Sequence, residues 1–325
     1  MDWRQVLDRK SMQVEVFADE IWVGQQDYLG IGCIYVKSSD KARCIRDLLD
    51  YRCLHSQSKK WTWSFSECPT REFCSLENHT QDDAIIHFND IRASRSRDKF
   101  KVAKRWLNYF KSSRSQLFFK LILLDLQKMS LEKFGDDNVW GNIYNRFFRS
   151  NLIYGLKAFF KANQRPVDLQ RVHQHHGSLQ ESHTYFPIHN LHKLEDHEIR
   201  GLVVRDYAIN FINQNHREII DIEGKGNSQI IQLTDLLIGA SCQVIFNTAR
   251  DSMKLQLAQE IKPLVDNQFK YPRFHISLFP ENPIRISYNI TGDLAEEIHH
   301  AGQFTTHFAI KMPEYSSKVL DQLKK

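Results

Sequence analysis

The sequence predicts an α/β protein built on a mixed sheet: a three-strand meander, then alternating helix and strand, with helices on both faces. Three observations carry that expectation. Two β-rich runs, "QVEVFADE" and "DYLGIGCIYVKSS", are separated only by the turn around "WVGQQ", which makes them an antiparallel hairpin. A third, strongly apolar run, "QLFFKLILLDLQKM", completes the meander. Beyond it, helical and extended patterns alternate. At 325 residues, 42% of them apolar, the chain can bury one large core or two modest ones.

The elements follow in order. Residues 13–20 form the first strand, with Glu15, Phe17 and Asp19 on one face and Val14, Val16 and Ala18 on the other. Residues 27–39 form the second. Residues 40–53, "DKARCIRDLLDYRC", read as a helix with Ser39 or Asp40 at its cap. Residues 54–86 are polar and irregular. Residues 92–114 hold nine Lys/Arg against Asp98 alone, a local excess of +8 in a chain of net charge +5. Within them Phe100, Ala103, Leu107 and Phe110 fall at helical spacing, which turns Lys101, Lys104, Arg105 and Lys111 outward.

Residues 116–129 are the third strand and residues 138–163 a long amphipathic helix. Residues 166–176, "PVDLQRVHQHH", alternate as a fourth strand. Residues 194–215 read as helical at least in part, and residues 216–222 as a short strand. The glycine-rich "EGKGN" leads into an apolar helix, "SQIIQLTDLLIGAS". In the remainder, "QLAQEIKPLVDN" reads as a helix, and "RFHISLFP" and "PIRISYNI" as strands. The expected organisation is one domain over residues 1–249, with an irregular, basic insertion at about 54–115. Residues 250–325 form an extension packed on the same domain, with enough apolar surface to meet a second subunit in a homo-oligomer. This order of elements is that of an RNase H-like core, an analogy of layout that carries no activity by itself.

No apolar run reaches the roughly 18 residues of a membrane span, and "MDWRQVLDRK" is too polar for a signal peptide. Six cysteines form no C-x-x-C pair, so free thiols are expected over disulfides. These features point to a cytoplasmic chain with no membrane partner.

The chemistry concentrates at one aspartate. In the apolar helix, Ser228, Gln232, Asp235 and Gly239 line one narrow polar seam at spacings of four, three and four. A carboxylate buried without a partner is costly, so Asp235 must face either a metal ion or a cationic side chain. Asp19 and Glu20 stand near the exit of the first strand, and the fourth strand ends in His175 and His176. In the inferred fold these meet Asp235. Carboxylate oxygens of this kind suit Mg²⁺ or Mn²⁺, and a pair of such ions can clamp a phosphodiester. Imidazoles at His173, His175 and His176 would suit zinc, but strand alternation divides them between two faces; structural or phosphate-facing roles are expected of them instead. Asp125, at the end of the third strand, is expected to lie outside such a cluster. Arg92, Arg95, Arg97, Lys101 and Lys104 are the expected phosphate contacts of RNA or DNA; the competing reading is an ordinary solvated helix face.

Several motifs resemble the bacterial family called domain of unknown function 3800, placed among RNase H-like proteins. They are "VFADE", "IHFNDIR", "KVAKRWL", "IYNRFFRSNLIYGLK", "YFPIH" and "SQIIQLTDLLIGA", in the family's order over about residues 14–245. The resemblance matches Asp19 and Glu20 to the family's Asp-Glu pair, His87 to a histidine before the basic region, and Asp235 to the aspartate of its C-terminal helix. It implies a nuclease-like site with His87 near the carboxylates, and the end of the fourth strand adds His176 beside them. The chain departs from the pattern after "ADE", where the Ser/Thr-Gly is missing, and at His175 and His176, where an acid is expected. The expectation is therefore a metal-dependent nuclease. The alternative is a catalytically degenerate nucleic-acid-binding or assembly module, for instance within a bacterial defence system.

Overall fold

The computed structural model describes residues 11–24, 27–52, 85–93, 97–112, 114–134, 138–160, 167–174, 204–205, 210–213 and 226–280. The chain is α/β, with an open mixed sheet of five principal strands. They are β1 (Met12–Val23), β2 (Tyr28–Lys37), β3 (Leu117–Asp125), β4 (Val167–Gln174) and a late strand, Phe274–Phe279. Two short segments, β5 (Val204–Arg205) and β6 (Asn210–Asn213), pair with the outer edge of β4, and the late strand is β7. The order across the sheet is β4-β1-β2-β3-β7. β1, β2 and β3 form an antiparallel meander. β4 runs parallel to β1, and β7 parallel to β3.

Strand alternation sorts the sheet's side chains into two cores. Val14, Val16 and Ala18 of β1 pack with Ile31, Cys33 and Tyr35 of β2 beneath α3 (Val139–Phe160). Phe17, Ile34, Phe119, Leu121 and Ile276 pack on the opposite face. That face is covered by α1 (Ser38–Arg52), α2 (Arg97–Lys111), α4 (Asn227–Phe246) and α5 (Ser252–Asp266). α4 is long and apolar enough to cross a membrane by composition alone, but 94% of that stretch is buried inside the protein. Its hydrophobicity on all sides is that of a core helix.

Two expectations fail here. β1 continues to Val23, paired with β2 as far as Val23↔Tyr28, so Asp19 and Glu20 lie inside that hairpin rather than at a strand end. Pairing with β4 stops at Ala18↔Gln174, so both acids stand just beyond the end of β4. Second, residues 194–215 contain the strands β5 and β6 where helix is expected. Their pairing with β4 overrides the local helical spacing. Residues 250–280 are no mere appendage: α5 packs on α4, and β7 extends the sheet. The expected short strand at 216–222 and the run "PIRISYNI" lie outside the described residues.

Candidate functional site

α4 settles close upon the sheet beside Asp19. Gly32, the β2 partner of Asp19, makes this approach possible: a Cβ there would stand 2.3 Å from Ile238 Cγ1 of α4. Thr234 anchors the same turn. Its hydroxyl donates to the Ile230 carbonyl at 2.8 Å and stands 3.4 Å from the carbonyl of Phe17. β1 at Phe17 and one turn of α4 are thereby held together, and the charge of Asp235 is felt at Asp19.

The polar seam of α4 docks a separate stretch of chain, residues 86–88, position by position. Gln232 Oε1 accepts the Ile86 amide at 2.9 Å. Asp235 Oδ2 accepts the Phe88 amide at 2.6 Å. Gly239 accommodates the Phe88 ring, since a Cβ there would lie 2.3 Å from Phe88 Cγ. Gln232 Oε1 also accepts from Arg52 Nη2 at 2.7 Å. Arg52 is buried, stacks over Trp106 at 4.9 Å, and burial lowers its pKa to about 9. Asp251, at the cap of α5, accepts the Ala93 amide at 2.9 Å and fixes the far end of this stretch.

His87 is brought to Asp235 by this docking. Its Nε2 lies 3.3 Å from Asp235 Oδ1, and its Nδ1 accepts the Asn89 amide at 3.2 Å. A ring whose Nδ1 accepts carries its proton on Nε2 when neutral, so it donates to the carboxylate. Lys254 stands over the Phe88 ring, 5.4 Å from its centroid, and donates to the Asn89 carbonyl at 3.1 Å. Burial, then the charge of Arg92, lowers the Lys254 pKa.

Electrostatics distinguish the two aspartates. Burial raises the pKa of Asp19 well above its usual value; the charges of Asp235 and Glu20 raise it further, and the Glu20 amide, donating to Oδ1 at 2.9 Å, opposes them. Burial also raises Asp235, while His87, the Phe88 amide and Lys254 counteract it and Asp90 adds to it. Burial first, and then the Asp235 charge, favours the protonated form of Asp19. The two titrate as a pair.

Glu20 faces the other way. Alternation turns it to the α3 face, where its Oε2 accepts from the Tyr144 hydroxyl at 3.0 Å. Asp125 sits at the end of β3, ion-paired with Lys128 at 2.6 Å. Gln174 Oε1, at the end of β4 beside Ala18, is buried with no hydrogen-bond partner among the described residues. β4 ends in this amide, not in a carboxylate.

No group of three or more His, Cys, Asp and Glu side chains poised to hold a metal ion occurs among the described residues. Two carboxylates do fit one hydrated divalent ion, because Mg²⁺ keeps several waters and takes one or two carboxylates. They do not make a two-ion cluster.

The remaining expected site residues divide. His176 and Arg95 lie outside the described residues, as does His175. His173 is wholly buried: it stacks on Phe17 with centroids 4.3 Å apart, and its Nε2 lies 2.9 Å from Glu15 Oε2. Glu15 also pairs with Lys41 at 2.8 Å. Burial would raise the Glu15 pKa, but the bonds from His173 and Lys41 outweigh it and hold it at about 2. Arg92 and Arg97 are exposed. Lys101 pairs with Asp98 at 2.9 Å, and Lys104 with Glu260 at 3.2 Å, so neither projects as an unpaired cation. Tyr144 and Lys254 escape sequence reasoning, because an isolated tyrosine or lysine at helical spacing carries no local signature. No family model, curated protein or solved structure matches the chain.

Proposed function

We propose that the chain is a metal-dependent nuclease with an RNase H-like arrangement, as its resemblance to the domain of unknown function 3800 family implies. The observation that carries this reading is the Asp19–Asp235 pair: two buried acids, in which the charge of Asp235 adds to the cost of ionising the already buried Asp19. A divalent cation between them relieves that repulsion. The strand order supports the reading, since a meander with β4 parallel to β1 is the expected layout.

Mg²⁺ or Mn²⁺, when bound, supplies charge neutralisation and an activated water. The chain's own groups do the rest. Asp19 and Asp235 would hold the cation. His87, bonded to Asp235 through Nε2 and accepting the Asn89 amide through Nδ1, orients the Asp235 carboxylate, and would have to release it to act as a general acid. Lys254 and Arg92 offer positive charge to a phosphate at the same wall. Glu20 has its carboxylate committed to Tyr144 and acts as a support of the β1 segment.

The test is a thermal melt with and without Mn²⁺, alongside cleavage of labelled RNA and DNA. Mn²⁺ should raise the melting temperature of the native chain, as any ligand of the folded state must, and cleavage should require it. Loss of both effects in Asp19→Asn supports the proposal; cleavage unaffected by Asp19→Asn overturns it. One observation favours a second reading, a non-catalytic nucleic-acid-binding or assembly module. Asp235 already accepts the Phe88 amide and faces His87, which gives it a structural reason to exist. An absence of any metal effect on the melt favours that module.

A further inference from the structure

Both oxygens of Asp235 are engaged. Oδ2 accepts the Phe88 amide at 2.6 Å, and Oδ1 faces His87 Nε2 at 3.3 Å. The two contacts come from neighbouring residues of one segment, yet they differ in kind. The first is a buried bond from the backbone, and the segment that makes it is fixed at several other points. Ile86 donates its amide to Gln232 at 2.9 Å, the Phe88 ring is seated against Gly239, and Ala93 donates its amide to Asp251 at 2.9 Å. The second contact is made by a side chain on rotatable bonds. That side chain is 29% exposed, against 10% for Asp235. The imidazole is therefore the part of this wall that can move aside while the segment stays docked.

His87 is engaged twice over. Its Nε2 faces Asp235, and its Nδ1 accepts the Asn89 amide at 3.2 Å. A ring held in this way has neither nitrogen open to a substrate. Asp19 is less encumbered: among the described residues it commits one oxygen, Oδ1, to the Glu20 amide at 2.9 Å. A cation arriving from solvent would meet Asp235 with His87 already on Oδ1.

We propose that the His87 imidazole is an exchangeable occupant of the cation site: it holds Asp235 Oδ1 while no ion is bound, and it yields that oxygen to a divalent ion. The inference rests on the metal-dependent reading of the Asp19–Asp235 pair and adds how that site is closed and opened. Two consequences follow from the geometry. The occupant lowers the apparent affinity for the ion, because only molecules with Oδ1 open are competent to bind it. It also couples two events, since the ring becomes available to a substrate only when it gives up the carboxylate. The displacement is a side-chain rotation, because Gln232, Gly239 and Asp251 keep the segment in place.

The experiment reads binding of the ion alone, by calorimetric titration of the full chain with Mn²⁺ and no nucleic acid present. His87→Ala removes the occupant and should tighten Mn²⁺ binding about 3- to 10-fold, the worth of one ordinary hydrogen bond no longer displaced. His87→Gln keeps an N–H donor of similar reach and should bind Mn²⁺ as the native chain does. Cleavage should move the opposite way, falling in His87→Ala although its ion is held more tightly. A second measurement needs no variant to fold: in ¹⁵N-histidine spectra of the native chain, saturating Mg²⁺ should shift the Nε2 signal of His87. Equal Mn²⁺ affinity in the native chain and His87→Ala, or a His87 signal that Mg²⁺ leaves unmoved, overturns the inference and leaves the metal reading standing. Weaker Mn²⁺ binding by His87→Ala also overturns it, because the imidazole would then support the ion instead of competing with it. No Mn²⁺ binding by any of the three chains sinks the metal reading and this inference together.

Discussion

Asp235 accepts the backbone amide of Phe88 at 2.6 Å with one carboxylate oxygen and faces His87 Nε2 at 3.3 Å with the other. The acid in the middle of an apolar helix thus has two tasks: to dock residues 86–88, and to present a charge to Asp19. Single substitutions separate them.

Asp235→Asn keeps an oxygen for the Phe88 amide and removes the charge. Its metal-free stability should stay within about 1 kcal/mol of the native chain, because the surviving bond is an ordinary neutral one. Asp235→Ala strands the buried amide and should lose roughly 1–3 kcal/mol. Both should abolish any stabilisation by Mn²⁺. Urea melts of the three proteins, with and without Mn²⁺, give the ranking; equal losses in the two variants would show that the charge, not the docking, holds the segment.

Asp19 gives a pH signature. Its folded pKa lies above the ordinary 3.8 through burial and then the Asp235 charge. Below that pH the carboxyl is protonated both folded and unfolded, and nothing is lost. As pH rises above it the unfolded chain ionises first, so the native state loses stability through the window up to its own raised pKa. Asp19→Asn should therefore melt higher than the native chain at pH 7 in EDTA, with the gap closing as pH approaches 3.8. Saturating Mn²⁺ at pH 7 should raise the native chain alone.

Gly239→Ala tests the docking of Phe88. The new methyl would overlap the ring, with Phe88 Cγ at 2.3 Å and Cβ at 2.7 Å. Ring and segment must shift together, at a cost of about 1–3 kcal/mol typical of overpacking. The variant should also lose cleavage while keeping α4 intact by circular dichroism, because His87 moves with Phe88.

The basic segment should act unevenly. If Arg92 contacts a phosphate, Arg92→Ala should reduce the magnitude of the log–log salt slope of nucleic-acid binding by about 0.7–0.9. Lys104→Ala should leave the slope unchanged, because Lys104 is held by Glu260. Fluorescence anisotropy over a salt series measures both.

The sheet was legible because its strands obey simple patterns. The alternation of Val14, Val16 and Ala18 against Glu15, Phe17 and Asp19 assigns both faces of β1, and the spacing of Gln232, Asp235 and Gly239 marks one polar seam on α4. What stayed hidden depends on contacts distant in sequence. Val204–Arg205 and Asn210–Asn213 are strands because β4 offers them an edge, while their own residues suit a helix. Nothing periodic in "IIHF" announces that it will lie along Gln232, Asp235 and Gly239. Lys104 looks like a phosphate contact until α5 brings Glu260 against it. Glu20 looks like a ligand until its alternation places it beneath α3 with Tyr144.

The oxygen of Gln232 receives both Arg52, the last residue of α1, and the amide of Ile86. Two described stretches far apart in sequence are thus tied to one atom. Holding two chain positions together costs an entropy that grows only slowly with their separation, by about 0.6 kcal/mol per doubling. One side-chain oxygen of α4 therefore fixes both where α1 ends and where the His87 segment begins. The helix that carries Asp235 is also the clasp on which those two stretches close, so a change at Gln232 would be felt at both.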